Sequence, residues 1–213
     1  KFRKLLLNRG INPDKSLMHY PVVLAMSAVY ERMNGAAQPA MTLTGSGNQG
    51  IGAILPLVAI KRIEDLDDEA LLRSVSLACL VTIYTKSHTG VLSPICGGGS
   101  ITSSAVSGGI AYMMGGSLQQ IEKALQNTFA STVGMLCDGA KTSCALKVAT
   151  GTSAAVSNAL LALDDVGVPG ADGIISARVE GTIENLGYLV TRGMGAVDGS
   201  LIDILSNSKE ERM

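Results

Sequence analysis

The chain has 213 residues, a net charge of −1 and a charged fraction of only 16%, against about 25% in an average globular protein. It has no run of Lys or Arg and 3% aromatic residues, so it lacks the basic footprint of a nucleic acid binder, and no such partner is expected. Its longest apolar run, Gly50 to Ile60, contains Pro56 and falls short of the about 20 residues a membrane span needs, so no membrane partner is expected. Four cysteines do not make a disulfide scaffold in a chain this long, and a cytoplasmic setting that keeps them reduced is expected. The start, Lys1-Phe2-Arg3-Lys4-Leu5, carries no cleavage-like small-residue site of a secretory signal, and the absence of an initiating Met hints at a missing or removed N-terminus. With 25 glycines and many alanines, small side chains between closely packed helices are expected. The low charge also suggests a large surface made for another domain or subunit.

Helical periodicity dominates, and the spacing predicts one all-α domain over residues 1–213 with glycine-rich loops between helices. Asn12-Pro13-Asp14 opens a segment, and Ser16 is read as the cap of a helix running to about Asn34-Gly35. A polar turn over 42–47 leads into a mostly buried helix over 51–63. Acidic residues from Asp65 to Glu69 favour the positive end of the next helix, which runs to about His88. Gly97-Gly98-Gly99 breaks the chain before small-residue helices over 100–114 and 118–131. A loop over 137–142, an Ala-rich helix over 143–163, a turn over 167–173, a helix over 174–192 and a short one over 197–206 complete the reading.

Three segments carry candidate chemistry: Ser46-Gly47-Asn48-Gln49-Gly50, Ser93-Pro94-Ile95-Cys96-Gly97-Gly98-Gly99, and Gly134-Met135-Leu136-Cys137-Asp138-Gly139-Ala140-Lys141. Each puts polar or thiol groups in a glycine-rich break ahead of a helix. Exposed backbone N–H groups and the positive helix start there favour an anion. A thiol in that position is expected to be pushed toward thiolate, the form that binds metal.

These blocks, with the continuation Thr142-Ser143-Cys144-Ala145-Leu146-Lys147 and the later Ala162-Leu163-Asp164-Asp165, resemble the cysteine desulfidase branch of the serine dehydratase alpha-chain family. The resemblance covers nearly the whole chain but only about the second half of the family's usual length. It implies a [4Fe–4S] cluster held by three Cys with one iron open, and α,β-elimination on a small amino-acid substrate. L-cysteine would give pyruvate, ammonia and hydrogen sulfide; L-serine dehydration uses the same apparatus. Cys96 and Cys137 match family ligand positions. The third family Cys lies in a Cys-Thr-Glu-Pro block near the start of full-length members, which this chain does not contain, so the missing amino-terminal half of the same polypeptide is an expected partner. Cys144 is carried as a further candidate ligand, and Ser46, Gly47, Asn48 and Gln49 as candidates for holding the substrate carboxylate.

Plainer readings stand beside these. Ser46 and Asn48 can be helix caps, and Cys79, between Val75 and Ile83 at helical spacing, is read as an inert core thiol. Lys141 and Lys147 are read as solvated or paired with the cluster's charge, and His19 and His88 as ordinary half-buried histidines. No residue is singled out as the general base. A non-catalytic helical assembly module and a homo-oligomer remain open. Pyridoxal-phosphate chemistry on Lys141 or Lys147 is disfavoured, since no acidic or Arg partner for the pyridine ring stands out.

Overall fold

Short polar caps set most of the helix starts. A computed structural model describes residues 2–210, and the side chains of residues 2–207. Among the described residues the regular structure is helical: α1 (Phe2–Asn8), α2 (Tyr20–Met33), α3 (Gly47–Glu64), α4 (Asp68–Thr89), α5 (Thr102–Met113), α6 (Leu118–Thr132), α7 (Cys144–Leu163), α8 (Val179–Tyr188) and α9 (Gly195–Glu210). The all-α expectation is met. Asp67 caps α4 by accepting from Ala70 N at 2.7 Å. Ser117 and Gln120 form a reciprocal capping box on α6, which satisfies two otherwise orphaned N–H groups.

Several boundaries differ from the sequence reading, each for a local reason. Ser16 does not cap the second helix. It ends a 3₁₀ turn over Pro13–Lys15, and its Oγ accepts from His19 N at 3.2 Å, so α2 begins only at Tyr20. The segment from Ile174 to Arg178 is not helical. Its backbone groups are taken by other elements: Gln126 Nε2 donates to Ser176 O at 2.9 Å, and Ser176 N donates to Thr182 Oγ1 at 2.9 Å. The Gly97-Gly98-Gly99 break is itself wound, as a π turn over Gly97–Ile101 that feeds α5.

Small residues decide the packing. Every residue of α5 except Tyr112 is buried, with α3, α4, α6 and α7 around it. A Cβ on Gly109 would lie 3.1 Å from Ser74 O of α4, and one on Gly108 would lie 2.9 Å from Leu125 Cδ2 of α6. The buried hydroxyls of this helix turn back onto their own backbone, Ser103 onto Gly99 O at 2.7 Å and Ser104 onto Ser100 O at 2.9 Å, so polar residues sit in the core at little cost. The main core joins Leu57, Ile60, Val106, Ile110 and Val156. A second cluster under α8 joins Ile95, Ile101, Phe129 and Ile183.

The sequence reading found no segment apolar enough for a membrane. By length and composition α7 does qualify, because its Ala, Gly, Ser and Thr residues keep the mean hydropathy high without an unbroken apolar run. It packs against α2, α5 and α6 and supplies Val156 and Ala159 to the main core.

Two backbones also approach closely between α7 and the π turn: a Cβ on Gly151 would come 2.2 Å from Gly99 O. Gly151→Ala is therefore expected to destabilise the chain by about 3 kcal/mol, because a backbone must move. Gly134→Ala, where nothing lies within 4 Å, is expected to be near neutral. Urea unfolding midpoints of the two variants check this.

Candidate functional site

Two residues of positive φ, Thr44 (φ 48) and Gly45 (φ 81), turn the chain tightly into α3, as a two-residue loop requires. The turn is closed by Leu43 N to Ser46 O at 3.1 Å and Ser46 N to Leu43 O at 3.0 Å. A β-branched residue at positive φ is uncommon; Thr44 Oγ1 lies 2.8 Å from Leu43 O and 3.1 Å from Gln49 Oε1, donating its one proton to either. Ser46 Oγ then accepts from Gln49 N at 3.4 Å as the N-cap. Gly47 and Gly50 are required by close neighbours, since added Cβ atoms would lie 2.6 Å from Arg32 Nε and 1.9 Å from Met41 O.

The polar side chains of this segment face inward. Asn48 is 9% exposed and Gln49 4%. Asn48 Oδ1 accepts from Arg32 Nη1 at 2.9 Å, and its Nδ2 lies 3.4 Å from Met33 Sδ. Gln49 Oε1 also lies 3.5 Å from Thr102 Oγ1, and its amide lies where a Cβ on Gly97 would be, 2.8 Å from Cδ. The first block thus lies directly on the second.

The second block meets the third through one antiparallel pairing, Ile95 with Leu136. Cys96 N donates to Met135 O at 2.8 Å, and Cys137 N to Pro94 O at 2.7 Å. Successive side chains in extended backbone point to opposite faces. Ile95 anchors the second core cluster, so Cys96 and Cys137 share the other face as diagonal neighbours, a relation of about 7–8 Å between Cα atoms. Lys147 O closes the circuit, 2.9 Å from a Cβ on Gly99. All three glycine-rich breaks therefore meet at one place.

The charges there are few. Asp138 pairs with both Lys141 and Lys147, and these two lysines hold its carboxyl down at about 2. Lys147 Nζ also donates to Leu136 O at 2.8 Å. Partial burial pulls Lys147 down, but Asp138, Cys96 and Cys137 raise it overall. Cys96 reverses the expectation of a thiolate-prone thiol. It is buried, and burial pushes it up despite the Gly99 N–H donating to its Sγ at 3.3 Å. Desolvation outweighs one backbone donor.

Cys137 and Cys144 are half-buried. Cys144 Sγ is engaged in its own turn, 3.6 Å from Gly139 O and 3.5 Å from Lys141 N. Among the described residues no group of three or more His, Cys, Asp or Glu side chains is arranged to hold a metal ion. Cys96 and Cys137 share one face of the pairing as two thiols of the kind a cluster would need, and Cys144 is not gathered with them into a set of three. Cys79, expected in the core, is only half-buried on α4, and burial pushes its thiol up. His19 and His88 are half-buried: His19 Nδ1 lies 2.8 Å from Ser16 Oγ, and His88 meets Tyr84 edge-on.

Two cations of this region escaped the sequence reading. Arg32, at the end of α2, holds Asn48. Lys86 is 4% exposed and donates to Ser93 Oγ at 3.2 Å. The signal for Lys86 was present: it shares the buried α4 face of Ser74, Ala78, Thr82 and Thr89, whose three- and four-residue spacing marks an inward stripe.

A UPF0597 protein of Clostridium botulinum strain Langeland is 41% identical over 191 residues, 90% of this chain and 45% of the relative. A UPF0597 protein of Clostridium perfringens strain SM101 is 42% identical over 190 residues, 89% and 44%. One from Clostridioides difficile strain 630 is 39% identical over 191 residues, 90% and 45%. The chain thus spans about 45% of the length of the curated relatives it matches. No solved structure matches. Residues 3–203 match the family described as serine dehydratase alpha chain, and this chain belongs to that family.

Proposed function

We propose that this chain is part of an iron–sulfur-dependent lyase that cleaves L-cysteine to pyruvate, ammonia and hydrogen sulfide by α,β-elimination. The observation that carries the reading is the Ile95–Leu136 pairing, which sets Cys96 and Cys137 on one face beside a glycine-rich helix start. Membership of the serine dehydratase alpha chain family supports lyase chemistry. Cys96 and Cys137 would hold two corners of a [4Fe–4S] cluster, with the third ligand supplied by the part of the relatives' length that this chain does not span. Such a cluster supplies a Lewis acid for the leaving group on the substrate's β-carbon.

This chain's own residues bind and orient. Gly99 N–H steadies the Cys96 sulfur, and Lys147 bridges Leu136 O and Asp138, fixing the loop on either side of Cys137. The α3 start offers the substrate carboxylate its backbone N–H groups. Asn48 and Gln49 act there by holding the backbone rather than by reaching out, since Asn48 is committed to Arg32 and Gln49 to the two threonines. Loss of the α-proton and of hydrosulfide leaves aminoacrylate, which takes up water to give pyruvate and ammonium.

The family description favours L-serine as the second reading, with water leaving in place of hydrosulfide. A soft thiolate substrate suits iron better. A cytoplasmic setting accords with four free thiols. Exposed Leu72, Leu80 and Ile83 on α4 favour a covering partner, either the rest of the polypeptide or a second copy.

After anaerobic reconstitution with iron and sulfide, Cys96→Ala and Cys137→Ala are expected to lose iron, whereas Cys79→Ala keeps it and costs only on the order of 1 kcal/mol of stability. Iron analysis and visible absorption read this; equal losses in all three would sink the ligand assignment. Asn48→Ala strips Arg32 of its acceptor and is expected to lower stability by about 1–3 kcal/mol, measured by denaturant unfolding, while leaving iron content unchanged. This chain alone, reconstituted under argon, is expected to release neither pyruvate nor sulfide from L-cysteine, nor pyruvate from L-serine. Turnover comparable to that of a full-length relative would show that Cys96, Cys137 and Cys144 suffice.

A further inference from the structure

Lys86 is the one feature of this region that neither a structural role nor the ligand assignment uses. Four other lysines, Lys61, Lys123, Lys141 and Lys147, meet a carboxylate. Lys86 is nearly fully buried, and among the described residues no carboxylate lies within ion-pair distance of it. Among the described residues it donates to Ser93 Oγ, which itself lies 3.3 Å from Ile95 O as donor. A buried, unpaired ammonium is costly, and a folded chain normally neutralises it or surrounds it with acceptors. Keeping one calls for an anion that the chain by itself does not supply.

The position of the ammonium says where that anion belongs. Ser93 leads directly into Pro94, whose carbonyl takes the Cys137 N–H, and Cys96 follows three residues after Ser93. The Lys86 ammonium therefore sits on the segment that binds both cysteines together. Burial pushes Lys86 down, and the negative charge of Cys137 and then Cys96 opposes that. A [4Fe–4S] cluster on three thiolates would carry net negative charge, and a fixed cation that is itself buried acts on it more strongly than one in water.

We infer that Lys86 is a positioning residue for the cluster: its ammonium is held beside Cys96 and Cys137 as the fixed counter-charge of their thiolate-bound iron. This rests on the iron–sulfur reading above. Lys141 and Lys147 share the single carboxylate of Asp138, whereas Lys86 is buried and meets no carboxylate among the described residues.

The test uses this chain as wild type, Lys86→Met and Lys86→Arg. Thermal melts without metal come first. The same proteins are then reconstituted anaerobically with iron, sulfide and dithiothreitol, the free thiol filling coordination positions the chain leaves open, and iron loss to a chelator is timed. Lys86→Met is expected to melt no lower than wild type, since methionine relieves an unpaired buried charge. It is nonetheless expected to lose iron at least about tenfold faster, since at an effective dielectric of about 20 one unit charge anywhere within about 12 Å is worth a factor of about ten or more. Lys86→Arg keeps the charge and is expected to stay within about twofold of wild type. A Lys86→Met melt several degrees lower would make Lys86 a structural prop and overturn the inference. Iron held equally well by wild type and Lys86→Met would overturn the inference alone. A wild-type chain that takes up no iron would overturn the iron–sulfur reading together with it.

Discussion

The contact on which the rest depends is that between two backbones, the Gly99 carbonyl of the π turn and Gly151 of α7, where a Cβ would come 2.2 Å from the oxygen. Only glycine allows that approach, and it sets how deep the Gly97–Ile101 turn sinks between α3 and α7. From there Gly98 reaches Val148 and Gly97 lies under Gln49. The same turn delivers Ile101 to the core and Cys96 to the opposite face. One spacing between two helices thus decides where three separate loops meet.

Electrostatics at that meeting point are arranged by scarcity. A chain with so few charges spends three of them, Asp138, Lys141 and Lys147, on one loop. The carboxylate ties the lysines to the segment after Cys137, and Lys147 reaches back to Leu136 O. This keeps the loop ordered without any apolar residue of its own in the core. Lys86 differs because it is buried on a helix and has only a hydroxyl for company. Buried charge without a counter-charge is a stress on the fold, and it lies beside the two thiols that the family membership makes most interesting.

The thiols themselves show why local rules of thumb need the tertiary setting. A cysteine at a helix start receives a backbone N–H, and Cys96 does so from Gly99. Cys96 is nonetheless buried in the folded chain, and desolvation then dominates. A metal centre would reverse the balance by supplying positive charge directly.

The sequence by itself determined the helical class, most of the element order and the three glycine-rich breaks, because helical periodicity, caps and glycine runs are local properties. It also exposed Cys96 and Cys137 as a matched pair of positions through resemblance. Only the tertiary structure decided how those breaks are used. The 174–178 segment stays out of a helix because Gln126 of α6 and Thr182 of α8 take both backbone groups of Ser176, and nothing within the segment announces that. Asn48 and Gln49 look like free polar groups in a loop, yet Arg32, Thr44 and Thr102 occupy them. Lys86 was legible as a position on an inward stripe, but its lack of a carboxylate was not. Partners across different helices depend on distances fixed by packing, and a linear sequence carries no direct record of those distances.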